Sequence, residues 1–342
     1  MMERLHYMLN KYVSISAKNM FSVAVMICTV MFIIILTVNL SMRAVRAESQ
    51  SVKLTFTSKG KDEYVFDTGI LRGKLRKDGK TFGLSSVVHV PSGVRLDGRF
   101  GIFSYYRIFT TNKRYGHAAW DWPSVSKLLP DGAVQIVWPA ERDRPFEITA
   151  IYRLTEETTL DLETTVKAHK DLHRFEVFLA SYFHETFSVS CVYVGRNPET
   201  EGKPGFLTAK KSFGDWQMFP IDKEVLQIIQ DGRWEKEPNP VKWAIMPCMA
   251  APVGVRRSAV EDLTVVLMAP PNDCFAISTP YEGESHYSLY LSLFGRDVEA
   301  GETAKSRSRL VVTTTISNDQ ILDMHQKYIK ELRGGAASSA DL

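Results

Sequence analysis

Between residues 159 and 168 the chain reads TLDLETTVKA, where Leu160, Leu162, Thr164 and Val166 alternate with Asp161, Glu163, Thr165 and Lys167. Successive side chains of a strand point to opposite faces, so this period of two sets one row against a core and the other in water. FEITAIYRL (146–154), FEVFLASYF (175–183), SVSCVYV (188–194), LTVVLMA (263–269) and HYSLYLSLF (286–294) read the same way. Turn chemistry stands between such segments: Pro91-Ser92-Gly93, Pro130-Asp131-Gly132, Asp231-Gly232 and Glu282-Gly283. About fifteen to eighteen strands with few intervening helices predict an all-β sandwich or barrel rather than a parallel α/β sheet. That is more than the roughly seven strands of an immunoglobulin-like sandwich. The body is therefore either two sandwiches or one oversized sandwich, and no Gly/Ser-rich or Pro-rich linker divides it.

Helical periodicity is concentrated at the C-terminus. Ser317 or Asn318 can cap a helix over 317–334, with Ile321, Leu322, His325, Tyr328, Ile329 and Leu332 on its apolar side. Gly334 is expected to stop it, leaving 335–342 as a disordered tail. Two irregular stretches, Asn197 to Pro220 and Gly232 to Pro240, are candidate functional loops.

The 342 residues carry 42 Lys plus Arg and 39 Asp plus Glu, a balance that excludes a disordered chain and a polybasic nucleic-acid binder. Residues 1–47 hold five of the basic residues (Arg4, Lys11, Lys18, Arg43, Arg46) and one acidic residue, Glu3; taking these from 42 and 39 leaves 37 and 38. The body is thus near-neutral. From Phe21 to Val38 an uncharged run, FSVAVMICTVMFIIILTV, would span roughly 27 Å as a helix, close to a bilayer's hydrocarbon core. Lys11 and Lys18 before it predict a cytoplasmic N-terminus and an exported remainder, periplasmic or extracellular. Val45-Arg46-Ala47 offers a signal-peptidase site. Residues 1–47 therefore read either as a cleaved signal peptide or as an inner-membrane anchor through 21–38. Beyond Cys28 in that run, Cys191, Cys248 and Cys274 have no CxxC spacing and read as small core residues rather than a disulfide framework or zinc site.

GIFSYYRIFTTNKRYGHAAWDWP, from Gly101 to Pro123, gathers Arg107, Lys113, Arg114, His117, Trp120, Asp121 and Trp122 with Tyr105, Tyr106 and Tyr115. A sugar's apolar face stacks on aromatic rings while charged and amide groups take its hydroxyls, so the mixture suits a carbohydrate site. The alternative is that the tryptophans are core. His184 and Glu185 follow the strand FEVFLASYF, and His286 stands beside Glu282 and Glu284; an imidazole and a carboxylate can form an acid/base pair. Neither His117 with Asp121 nor His184 with Glu185 matches a defined metal motif, and no cofactor-binding loop occurs.

The order of these features resembles the galactose mutarotase-like superfamily, which includes the aldose 1-epimerases. The resemblance is carried by GIFSYYRIF, by Tyr115-Gly116-His117 with Trp120, by Ala180-Ser181-Tyr182-Phe183, and by Glu299-Ala300-Gly301-Glu302 leading into Arg307–Val312. It implies a β-supersandwich over 48–316 that binds a mono- or oligosaccharide without a cofactor. It also implies acid/base mutarotation or epimerisation at the anomeric carbon, with Glu282 as base and His117 or His184 as acid. Arg107, Trp120, Asp121, Asp215 and Trp216 would hold the sugar. The chain departs from the family at Ala180, where an epimerase has its second histidine. The alternatives are a non-catalytic carbohydrate-binding or envelope glycan-assembly module, and a polysaccharide lyase or glycoside hydrolase. No nucleic-acid partner is expected; membrane contact would run through the N-terminal segment.

Overall fold

The computed structural model describes residues 54–60, 63–76, 82–314 and 316–338. The expected signal or anchor segment, the apolar run 21–38 and residues 339–342 lie outside them. Among the described residues no helix is long and apolar enough to cross a membrane.

The strands, numbered in chain order, form three sheets. A five-stranded sheet contains β1 (Thr57–Lys59), β2 (Glu63–Asp67), β3 (Leu71–Arg76), β4 (Leu84–His89) and β5 (Val94–Arg95), in that order. A seven-stranded sheet contains β6 (Ser104–Thr110), β7 (Lys113–Arg114), β12 (Leu172–Tyr182), β15 (Trp216–Pro220), β16 (Ala244–Ile245), β19 (Cys274–Pro280) and β20 (Ser288–Val298). Its order is β16-β15-β19-β20-β12-β6-β7. A nine-stranded sheet contains β8 (Val125–Leu128), β9 (Val134–Trp138), β10 (Phe146–Glu156), β11 (Thr159–Ala168), β13 (Val189–Val194), β14 (Gly205–Thr208), β17 (Met249–Arg257), β18 (Thr264–Met268) and β21 (Thr303–Thr313). Its order is β14-β13-β17-β18-β21-β11-β10-β9-β8. The all-β sandwich expected from the sequence is present, as one body with a common core.

That core lies between the two larger sheets. Val177 and Leu179 of β12 and Leu289, Leu291 and Leu293 of β20 share a cluster with Ile148, Ala150, Leu160, Leu162 and Val166 of β10 and β11. Polar ties cross it: the Tyr105 and Thr164 hydroxyls meet at 2.5 Å, and Tyr105 packs on Trp138 with ring centroids 4.7 Å apart. The five-stranded sheet adds Phe56, Tyr64, Phe66, Leu75 and Val87. β10 and β11 alternate in burial as their sequences require.

The strands FEVFLASYF and HYSLYLSLF depart from simple alternation. Most of β12 and β20 is buried on both faces, as are β18 and β19. In β12 the odd positions Phe175, Val177 and Leu179 enter the central core, while Phe178, Ala180 and Tyr182 join a second cluster on the other side of the seven-stranded sheet. A sheet covered twice needs no polar row.

The nine-stranded sheet is also covered on its outer side. Ile321 and Tyr328 of the C-terminal helix pack with Val253, Val255, Val266, Met268 and Val311. The helix runs Asn318–Ser338, continuing through Gly334 rather than ending there. Gly334 does not take the left-handed conformation that ends a helix. At its start the Ser317 amide donates to Gln320 Oε1 (2.9 Å) and the Gln320 amide to Ser317 Oγ (3.2 Å), a reciprocal cap. Of the cysteines, Cys191 and Cys274 are buried as expected, whereas Cys248 is only half-buried; all three are free thiols.

His325, on the helix's inner side and 7% exposed, places Nε2 3.0 Å from the Ala269 carbonyl. Burial lowers its pKa below the usual 6.5. A histidine buried neutral stabilises the fold fully above its unfolded pKa, and that contribution disappears as pH falls through the lower folded value. Melting temperature should therefore drop as pH is taken below about 6.5, and His325→Gln should flatten that dependence; thermal melts across pH 8 to 5 check it.

Candidate functional site

The second cluster, outside the seven-stranded sheet, does not close. It leaves a cavity of about 760 Å³ whose floor is Phe178, Tyr182 and Tyr290 from β12 and β20. Three walls rise around it, and Trp216 and His286 complete the lining.

The first wall is Phe82, Arg99, Phe100, Tyr106 and Arg107. Gly101 sits between them at φ +72°, where a Cβ would fall 1.8 Å from the Phe82 carbonyl oxygen. Only glycine permits that approach, which brings residues 82 and 100 to the same rim. The second wall is the 3₁₀ turn Ala119–Asp121 with His117 before it.

The third wall is the loop carrying Trp234, Asn239, Pro240, Val241 and Trp243. It is held by Arg233, whose side chain is wholly buried. Arg233 Nη1 donates to Glu176 Oε2 at 2.8 Å, and Nη2 to Asp231 Oδ2 at 2.9 Å and to the Arg174 carbonyl at 3.0 Å. Glu176 belongs to β12, so the ion pair anchors the loop to the sheet beneath the cavity. Burial pushes the Glu176 carboxyl up, and the Arg233 charge opposes that. The same loop lines a second hollow of about 720 Å³, which shares Trp234, Pro240, Val241 and Trp243 with the first.

Of the residues expected from the sequence, Arg107, His117, Trp120, Asp121 and Trp216 line this one cavity. His184, Asp215 and Glu282 are not among the lining residues. His184 lies beyond the end of β12 with Nδ1 3.1 Å from the Thr186 hydroxyl. Asp215 and Glu282 are exposed, and the Glu282 amide donates to the Ala209 carbonyl. The arrangement that paired Glu282 with His117 or His184 is thus not assembled around the cavity. Asp215 and Glu282 stand next to or near the lining residues Trp216 and His286 in the chain, but a turn can put neighbours on different sides of a rim.

Of its two readings, sugar platform or core residue, Trp120 bears out the second. It is 4% exposed, with Tyr106 stacked on it at 4.6 Å and Phe100 at 5.5 Å, both within 5° of parallel. It is core to the wall. Five rings of the lining are partly exposed: Phe82, Phe100 and Tyr106 around Trp120, and Trp216 and Trp243, which meet edge to face at 6.0 Å. Trp243 was not singled out from the sequence, where it stands among charges and prolines with no periodic pattern around it.

Two imidazoles reach the cavity, each beside a carboxylate. His286 Nδ1 is 2.7 Å from Glu284 Oε1, and His117 Nδ1 is 3.5 Å from Asp121 Oδ2. In both pairs it is Nδ1 that faces the carboxylate. Burial pushes the Tyr290 hydroxyl up to about 12 and the Tyr182 hydroxyl well above its ordinary value, so neither supplies a phenolate near neutral pH. Among the described residues no three of His, Cys, Asp and Glu converge as metal ligands.

No family model matches the sequence, and no curated protein matches it. The structure is similar to that of a galactose mutarotase-like protein from Lactobacillus casei, at 11% identity and TM-score 0.47, over 73% of this chain and 100% of that one. An aldose epimerase homologue from C. elegans is similar at 8% identity and TM-score 0.43, over 74% and 98%. An α-N-acetylgalactosaminidase from Bifidobacterium bifidum, solved as its GalNAc complex, is similar at 9% identity and TM-score 0.42, over 79% of this chain and 36% of that one.

Removing one partner of a buried ion pair costs about 3 kcal/mol or more. Glu176→Gln should lower unfolding free energy on that scale in denaturant titrations, and hydrogen exchange should show residues 231–245 less protected than β12. Trp120→Ala should likewise cost about 3 kcal/mol.

Proposed function

We propose that the protein is a divergent galactose mutarotase-like member of supersandwich form, which binds a saccharide in the cavity over β12 and β20. One observation carries the reading: a hollow of about 760 Å³ combines partly exposed Trp216 and Trp243 with Arg99, Arg107, Asp121, His117 and His286. Flat rings take the apolar face of a pyranose, and the polar groups take its hydroxyls.

Binding without turnover is the form the site supports best. Ala180 lies between Phe178 and Tyr182 on one face of β12, so the position where the resemblance calls for a histidine presents a methyl group to the cavity side. Asp121 is the carboxylate among the lining residues, short of the pair that glycoside hydrolysis employs.

A second reading rests on the rim. His286, oriented by Glu284, and His117, oriented by Asp121, could exchange protons with an anomeric hydroxyl and a ring oxygen, opening and reclosing the ring. Export is part of the proposal, on the strength of the apolar run 21–38 and the basic residues before it. Intact-mass analysis of the protein from its own cells should find it starting near residue 48 or held in a membrane fraction; full-length protein in the soluble cytoplasm would overturn export.

Calorimetry against neutral and acidic oligosaccharides should detect binding that Trp216→Ala weakens about ten-fold while changing stability little. Anomer exchange followed by NMR should run at the buffer rate. Acceleration that disappears in His286→Ala would establish the second reading instead.

A further inference from the structure

Arg107 is 3% exposed, and its guanidinium lies among cavity residues. Nη2 donates to the Asn239 carbonyl at 2.8 Å and to the Tyr106 hydroxyl at 3.2 Å, and the group stands 4.9 Å over the Tyr106 ring and 5.4 Å over the Trp234 ring. Nε and Nη1 have no hydrogen-bond partner. No carboxylate pairs with Arg107 among the described residues. Other buried guanidiniums meet one: Arg233 reaches Glu176 and Asp231, and Arg309 reaches Asp161 and Glu331. Arg256, without a carboxylate, is held by the carbonyls of Phe187, Ser188 and Ser288 and the Thr279 hydroxyl.

The other buried unpartnered polar atoms on the cavity's lining are the indole Nε1 groups of Trp234 and Trp243. Every one of these orphans is a donor. Leaving a buried donor unpaired is costly, and a buried cation more so, so a cavity with this one-sided deficit is complementary to a ligand that mainly accepts. A sugar hydroxyl both donates and accepts, whereas an acid group only accepts and matches the guanidinium's paired N–H groups. Arg114 stands behind the same wall, 5.9 Å over the Tyr106 ring, donating to the His117 and Pro238 carbonyls. Burial first, and the Arg107 charge second, hold its pKa down at about 10. Arg99 adds a third positive charge on the rim.

We propose that the cavity's ligand is an acidic saccharide, a sugar bearing a carboxylate or sulfate group that docks on Arg107. The inference rests on the saccharide reading above and narrows its substrate class. The anion completes the hydrogen bonding of Arg107 and neutralises the wall, while Trp216 and Trp243 hold the ring that carries it.

Matched probes that differ only in charge test this: digalacturonic acid against its methyl ester, and a sulfated galactose disaccharide against the unsulfated one. By calorimetry the acidic member of at least one pair should bind about ten-fold more tightly or better. The pair that shows the preference distinguishes carboxylate from sulfate. Arg107→Gln should erase the preference, costing the acidic member about ten-fold more affinity than its neutral partner, and Arg107→Lys should retain part of it. NMR of the unaltered protein provides the control should the variants not fold: the Arg107 Nε–H resonance should shift on titration with the acid and not with the ester. Equal affinity within both pairs, or a preference that survives in Arg107→Gln, overturns the acidic class and leaves saccharide binding standing. No binding of any of the four probes overturns both.

Discussion

The central strands of the seven-stranded sheet are buried on both faces, and most of the site follows from that constraint. β12 sends Phe175, Val177 and Leu179 into the central sandwich and Phe178, Ala180 and Tyr182 to the opposite side, so water must be kept from both. The nine-stranded sheet covers the inner face with strands. The outer face is covered by loops and single helical turns such as Ala119–Asp121 and Leu226–Ile229, and such segments pack around their own backbone polar groups rather than as a flat layer. Covering such a face imperfectly leaves a hollow lined by large side chains. The cavity is therefore a consequence of how the second core is made.

The opposite side of the molecule shows the same requirement met differently. Val253, Val255, Val266, Met268 and Val311 face outward from the nine-stranded sheet, and the C-terminal helix closes over them with Ile321 and Tyr328. A helix presents a continuous apolar stripe and satisfies its own hydrogen bonds, so no comparable hollow is needed there. Arg309 fastens it, reaching Asp161 at 2.6 Å and Glu331 at 2.7 Å while lying 4.2 Å over the Tyr328 ring. One outer face is sealed and the other is left receptive.

Polar chemistry is distributed accordingly. The Arg233–Glu176 pair has its charges matched and serves to hold a wall, whereas Arg107 faces the cavity with donors unmatched. Two buried arginines on the same side of one sheet thus have opposite states of satisfaction. That contrast, rather than the number of aromatic rings, gives the cavity its chemical character.

The alternation in TLDLETTVKA and FEITAIYRL was enough to identify half-buried strands, because a period of two is a local property of extended backbone. The capping residue and apolar stripe of the C-terminal helix were legible for the same reason. The segment Gly101 to Pro123 announced a wall of the cavity, since Arg107, His117, Trp120 and Asp121 reach it together. What only the tertiary structure decided was which indole remains partly exposed at the cavity. Trp120 and Trp243 are the same residue type, yet Phe100 and Tyr106 cover both faces of the first. Nor could spacing show that His184 and Glu282 lie away from the cavity, or that Arg107 has no carboxylate beside it. Those are matters of which distant segments meet. Local patterning determines that a side chain is inward or outward; pairing and coverage depend on strands and loops more than a hundred residues apart, as when Arg107 meets the carbonyl of Asn239.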